Sequence, residues 1–386
     1  MSSFLGYERP GGTAGARNHL AVIPSVACAN GVVGAIARQV PEAAPLYHGH
    51  GCARAGRDLE LHFRALSNLG RHPNVGAVLV VGLGCEVIKA EHHAAAISGE
   101  GKPVEYIEIQ SEGGSRRAAG KGAAIARGML GEIGGRERTV VGMDRLVLGL
   151  ECGGSDAFSG ITANPAVGVV SDWVVSEGGT VILTENTEMI GTSHILERRS
   201  ANPEVAGQVR SVISAAERRA HDILGPLASM VIAPGNMDGG VSSIQEKSLG
   251  CIAKAGSATI RQVVDYAELP TEKGLVLMDA PGYDTESMTG LAAAGAQVIL
   301  FTTGRGNPIG FPVVPVVKIA SNTRLYESMR DDMDVDAGAA LQGTGLDGVA
   351  QDIRCLLEKV LNGEPTRAEI NRQDGILCLY TTGPSF

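Results

Sequence analysis

Residues 77–86 read AVLVVGLGCE, an unbroken run of small and branched apolar side chains that stops at a glycine turn carrying a cysteine and a glutamate. A strand with no polar face belongs in a sheet covered on both sides, as in parallel sheets flanked by helices. Outward from it, similar runs occur at 19–26, 44–48, 104–109, 146–150, 181–184, 275–279, 298–302 and 316–320. Helical spacing lies between them at 31–39, 58–68, 116–129, 204–224 and 348–361. Polar, glycine-rich residues 131–144 separate an N-terminal α/β domain, 1–135, from a C-terminal α/β part, 136–386, with a further boundary near 225–240. The alternation predicts an α/β protein of mostly parallel, doubly wound, Rossmann-like sheets in two or three domains.

Four cysteines share one local setting. Cys28 in IPSVACAN, Cys52 in PLYHGHGC, Cys85 in VLVVGLGCE and Cys152 in LVLGLECGGSD each follow a strand-like run and stand in a glycine- or alanine-rich turn. The carboxyl ends of strands line the ligand crevice of an open α/β sheet, so these thiols are expected to converge on one metal or cluster site. His48 and His50 lie within five residues of Cys52, a donor set that suits iron or another borderline metal. Glu86 follows Cys85 as a candidate ligand or acid, and the turn after Cys152 can cradle an anion with its N–H groups. A single cysteine is more often a buried filler, and Cys251, Cys355 and Cys378 are read that way, with Cys355 facing the core from the helix IRCLLEKVL.

Composition narrows the function classes. With 386 residues, 44% of them hydrophobic, the chain can bury a large core, and 53 glycines describe many tight turns. A net charge of −9 without a basic run argues against nucleic acid and anionic membrane surfaces and leaves a small-molecule substrate. The start MSSFLGYERPGG lacks signal-peptide character, and no apolar run approaches the ~18 residues of a membrane span, so a cytoplasmic protein is expected. In that compartment seven cysteines do not read as a disulfide framework. No phosphate-binding GxxxxGK[ST] run occurs, and GTGLDG at 343–348 follows no clean strand, so it reads as a helix-entry turn. The final TTGPSF reads as a tail.

Longer strings carry a family likeness. CGGSDAFSGITANPA (152–166), with HGHGC, VGLGCE, EKSLGCIAKAG (246–256), FTTGRGNPIG (301–310), GYERPGGTAGARN (6–18) and DMDVDAGAAL (332–341), resembles the altronate/galactarate dehydratase family over nearly the whole chain. The resemblance implies an iron-dependent hydro-lyase that dehydrates a sugar acid to a 2-keto-3-deoxy acid, with iron as Fe2+ or an Fe–S cluster and Mn2+ as an alternative. It also implies a separate small subunit of the SAF type, since full-length members carry that β-rich domain ahead of this region; a homo-oligomer is expected too. Two other readings stand beside it: the large subunit of a sulfolactate sulfo-lyase-like enzyme, which expels sulfite, and a non-catalytic sugar-acid-binding homologue. Within the resemblance, cysteines at 28, 52 and 85 favour dehydration.

The chemistry sets its own demands. Removing a proton next to a carboxylate builds an enediolate dianion, which needs positive charge where it develops. A metal supplies that charge and improves hydroxide as a leaving group. Cys28, Cys52 and Cys85, with Cys152 and Glu86 as further candidate ligands, would hold a cluster with one iron open to substrate; a single ion would recruit His48, His50 or Glu86. Arg305 in TTGRG is placed to pair with a substrate carboxylate, and Lys247 is a base or a charge clamp. His50 and His194 are base candidates. Ser155, Asp156, Thr162, Asn164, Thr303 and His48 are expected to bind the hydroxyls of a polyol.

Overall fold

The computed structural model describes residues 2–99, 101–230, 232–375 and 377–386. Strands β1 (Ser3–Glu8) and β2 (Ala14–Gly15) pair antiparallel. Strands β3 (His19–Pro24), β4 (Ala43–Pro45), β5 (Val75–Gly82) and β6 (Val104–Glu108) form a four-stranded parallel sheet ordered β4-β3-β5-β6. Strand β7 (Thr139–Gly142) returns to pair with β1, closing a small antiparallel sheet ordered β2-β1-β7. Strands β8 (Val147–Cys152), β9 (Thr180–Leu183), β10 (Ile260–Val264), β11 (Gly274–Met278), β12 (Val298–Thr303), β13 (Val316–Ala320) and β14 (Val335–Asp336) form a seven-stranded parallel sheet ordered β10-β11-β9-β8-β12-β13-β14.

The all-apolar run of β5 has a direct cause. Leu79 and Val81 point into a core made with helices Asn30–Gln39 and Ser115–Gly134, while Val78 and Val80 point into another made with helices Gly56–Arg71 and Ala90–Ser98. Period-two alternation therefore buries every residue of the strand. The second core is shared: it also contains Met278, Ile299 and Phe301 of the seven-stranded sheet and Leu291 of helix Asp284–Ala293. The opposite face of that sheet is covered by helices Ala163–Ser176, Pro203–Leu224 and Gly345–Leu361. Local signals set the helix ends. Asn202 accepts a hydrogen bond from the Val205 amide ahead of Pro203, and the GTGLDG run leads into helix Gly345–Leu361.

Arg57 and Arg64 of helix Gly56–Arg71 both reach the Asp265 carboxylate at 2.7 Å, immediately after β10. These pairs bring the carboxyl edges of both parallel sheets to the same end of the molecule. The C-terminal segment, read above as a tail, is docked there too. The Leu377 amide donates to the Tyr47 carbonyl (2.7 Å), and Asp58 accepts from Thr382 N (2.6 Å), Thr382 Oγ1 (2.7 Å) and Gly383 N (3.1 Å). Cys355 also differs from its reading. Helix Gly345–Leu361 buries Val349, Ile353, Leu357 and Val360, and position 355 falls on the opposite, exposed face.

Burial opposes the charge on Asp58, but the hydrogen bonds from Thr382 and Gly383 hold its carboxyl below the ordinary aspartate value. That stabilisation is therefore present above the unfolded-state pKa and is lost as pH falls through the lower folded-state value. Asp58→Ala is expected to destabilise the protein by about 2 kcal/mol in urea unfolding and to free the amides of 377–386 for hydrogen exchange; unchanged protection of that segment would contradict its anchoring by Asp58.

Candidate active site

The loops after β3, β4 and β5 are laced together. Ala27 N donates to the His50 carbonyl (2.7 Å), joining the loops of Cys28 and Cys52, and Ser25 Oγ donates to Glu86 Oε1 (2.7 Å), joining those of Cys28 and Cys85. Gly51, at φ +105°, packs so closely on the Ser25 carbonyl and Val26 that a Cβ would collide with them. The thiols of Cys28, Cys52 and Cys85 are exposed on these loops. Glu86 is buried, with Oε2 accepting from Gly84 N (2.6 Å), so both of its oxygens are engaged in fixing the loops. His48 is fully buried, bonded through Nε2 to the Pro24 carbonyl (2.6 Å) and through Nδ1 to the His50 amide (3.1 Å). His50 is half-buried, its ring edge-on to His62 at 4.7 Å, and burial lowers its pKa.

Cys152 lies elsewhere. It ends β8 in the seven-stranded sheet, so the four thiols divide between two sheets instead of meeting in one group. Leu150 of β8 pairs with Leu183 of β9, and two residues beyond each stand Cys152 and Glu185, side by side. Cys152 Sγ donates to Glu188 Oε2 (3.0 Å) and lies 3.5 Å from Cys251 Sγ. The Cys152 amide donates to Glu185 Oε2 at 3.1 Å. The ligand atoms of Cys152, Glu185, Glu188 and Cys251 all lie within 4.8 Å of one another, as do those of Glu151, Glu185 and Asp284. These buried Cys/Glu clusters could bind a metal, and two thiols with two carboxylates form a plausible donor set for a first-row ion.

Lys254 is fully buried in the same cluster. Its Nζ donates to Cys152 Sγ (3.0 Å), to Cys251 Sγ (3.2 Å) and to Glu185 Oε2. Lys247 pairs with Glu188. Across the sheet, register aligns Glu151, Phe301 and Lys318, which explains why Lys318 Nζ rests 3.3 Å from the Phe301 ring centroid. Hydrogen bonding to Cys251, then burial, keeps Cys152 a thiol. Burial raises Glu185 to about 7 and, with Glu185 and Asp284 nearby, pushes Glu151 well up. Both shifts favour protonation of this carboxyl pair, and Glu151 Oε1 and Glu185 Oε1 have no hydrogen-bond partner among the described residues. Burial alone brings Lys318 down to about 7 against the opposing pull of Asp284 and Glu151. Glu185 also has φ 74° and ψ 63°, a left-handed conformation that a non-glycine residue holds only under constraint.

Two clefts open beside this cluster. One, of about 270 Å³, is lined by Ser155, Asp156, Asn164, Glu246, Lys247 and Leu249; another, of about 410 Å³, by Asp156, Asp238, Arg305, Asn322 and Arg324. Lys247 thus links open space to the buried charges. Arg305 is exposed and, among the described residues, has no carboxylate partner. Several residues expected to meet a polyol hold loops. Asp156 accepts from Ser159 N and Oγ, Ser321 Oγ and Asn322 Nδ2; Thr162 Oγ1 donates to the Ser321 carbonyl (2.6 Å); Asn164 bridges Thr302 Oγ1 (2.6 Å) and the Gly250 carbonyl (3.0 Å); Thr303 Oγ1 accepts from Gly306 N (3.0 Å). His194 is exposed on the short helix Ser193–Arg198. Cys251, read as filler, faces Cys152 instead. Sequence reading passed over Glu185, Glu188, Lys254 and Asp284, although Lys247, Cys251 and Lys254 follow the i, i+4, i+7 spacing of one helix face.

Residues 6–134 match the family model described as D-galactarate dehydratase/Altronate hydrolase, second domain, and residues 143–383 match D-galactarate/Altronate dehydratase, C-terminal. An altronate dehydratase from Bacillus subtilis is 40% identical over 349 residues, covering 87% of this chain and 69% of the relative. A galactarate dehydratase (L-threo-forming) from Escherichia coli is 34% identical over 362 residues, with 88% and 69% covered. The beta subunit of a (2R)-sulfolactate sulfo-lyase from Chromohalobacter salexigens is 34% identical over 371 residues, with 95% and 94% covered. Agreement along both halves of the chain and across most of each relative leads to one conclusion: the chain belongs to the D-galactarate/altronate dehydratase family and is a dehydratase, an enzyme of the hydro-lyase class.

Proposed function

We propose that the chain removes water from a polyhydroxy acid of the altronate or galactarate type, an aldonate or aldarate, to give a 2-keto-3-deoxy acid. The observation that carries this reading is Lys247, a cation fixed by Glu188 at the wall of a cleft sized for a small anion. Burial works against its charge, but the Glu188 carboxylate holds it above the ordinary lysine range. At neutral pH it is therefore an ammonium that clamps a carboxylate and steadies the enediolate, and proton abstraction falls to another group. Arg305 offers a second cation on the same carboxyl edge. His50 is the base: burial favours its neutral form, and a neutral imidazole can take the α-proton.

Cys28, Cys52 and Cys85 would hold iron, as Fe2+ or an Fe–S cluster, with Mn2+ as the alternative. Their exposure on three loops laced by Ser25, Glu86 and His50 supports that reading. When bound, the metal supplies Lewis-acid stabilisation of the enediolate and of the departing hydroxide. The chain's own groups orient the acid, hold charge and move the proton. Likeness to a relative named as a beta subunit supports a separate small partner of the SAF type, and cysteines that are all free among the described residues support a cytoplasmic setting. No helix among the described residues is long and apolar enough to cross a membrane. The sulfo-lyase likeness sustains a second reading, carbon–sulfur cleavage.

Anaerobically prepared protein with ferrous iron, offered galactarate, altronate and sulfolactate, is expected to form a 2-keto-3-deoxy acid from a sugar acid; sulfite and pyruvate from sulfolactate with no 2-keto-3-deoxy acid from either sugar acid would overturn the proposal. His50→Ala should lower kcat by about 10²- to 10⁴-fold. Because the base must be neutral and its pKa is depressed, wild-type kcat/KM should fall only as pH drops below the ordinary imidazole value, and a variant that keeps this acid limb would remove His50 from the role. Lys247→Met should raise KM by about 10- to 100-fold, the loss of one charge-assisted hydrogen bond; an unchanged KM would contradict the clamp.

A further inference from the structure

The Cys152, Cys251, Glu185 and Glu188 donors are spaced like a metal chelate, yet a cation of the chain already lies among them. An ammonium has three N–H donors and no acceptor. All three of Lys254's donors are matched, by Cys152 Sγ at 3.0 Å, Cys251 Sγ at 3.2 Å and Glu185 Oε2. Three of the four possible ligands therefore already serve the lysine, and the fourth, Glu188, pairs with Lys247 and accepts from Cys152. Lys254 is fully buried, and the neighbouring carboxylates of Glu185 and Glu188 supply the charge that balances it.

We infer that Lys254 is the resident cation of this pocket, a positioning residue that does a metal's electrostatic work and keeps a metal ion out. Its ammonium holds the carboxylate of Glu185, a residue in left-handed backbone conformation, and Cys152 joins that carboxylate to Glu188, which aims Lys247 at the cleft. An ion entering the pocket would have to expel a buried ammonium and strip the protons from two thiols. The exposed thiols of Cys28, Cys52 and Cys85 have no such competitor among the described residues. The inference does not rest on the choice of sugar acid, and its test is read without turnover.

Divalent cobalt is the probe, because thiolate ligation gives it a charge-transfer absorption in the near ultraviolet. The chain carrying Cys28→Ser, Cys52→Ser and Cys85→Ser, with Lys254 intact, is expected to show no such band. Adding Lys254→Met should create a site for one cobalt per chain whose band disappears on further Cys152→Ser, whereas Lys254→Arg should restore the cobalt-free state. A Cys152-dependent band with Lys254 intact would overturn the inference, as would a folded Lys254→Met protein without one. If Lys254→Met does not fold, the lysine-containing arm decides: a Cys152-dependent band there refutes the inference and its absence supports it. If the wild-type protein binds no metal at its exposed thiols either, the metal-dependent mechanism fails while this result stands.

Discussion

A buried charge must be neutralised in place, and in this protein the constraint is concentrated at Lys254. Its ammonium has no water to turn to, so two thiols and a glutamate must stay within hydrogen-bond reach for the fold to hold it. That requirement reaches outward. It holds the Glu185 carboxylate in place, keeps Cys152 between Glu185 and Glu188, and through Glu188 sets the direction of Lys247. The parallel register of β8 and β9 makes the arrangement available by ending adjacent strands at neighbouring positions.

The larger architecture serves the same end of the molecule. Because one core is shared by both parallel sheets, their relative placement is fixed by packed apolar side chains and not by a linker. The Arg57–Asp265 and Arg64–Asp265 pairs then tie the helix that follows the Cys52 loop to the carboxyl edge of the seven-stranded sheet. An edge carrying exposed thiols and one carrying fixed cations thus open on the same side, and the docked C-terminal segment packs against the former.

Strands buried on both faces were the most legible part of the fold, since continuous apolar runs admit few other readings: the run at 316–320 coincides with β13, and that at 77–82 lies within β5. The β1–β7 ribbon escaped because Leu5 and Val140 are exposed and nothing local reveals a pairing across more than a hundred residues. At the site, the turns were legible and the partners were not. Cys28, Cys52 and Cys85 do lie on loops that follow strands, and Cys152 ends one, but which sheet each strand joins is a property of topology. Asp156, Thr162 and Asn164 have the chemistry of sugar-binding residues, and only their hydrogen bonds to neighbouring loops distinguish that use from holding the cleft's shape.

The proposed metal-holding edge at the exposed thiols lies apart from the proposed metal-free charged core at Lys254. Diffraction from anaerobically grown, iron-loaded crystals on both sides of the iron absorption edge tests that division most directly. An anomalous peak is expected among the loops of Cys28, Cys52 and Cys85 and none between Cys152 and Cys251. A peak in the buried cluster with the Lys254 side chain displaced, or no peak at the three loops, would contradict it.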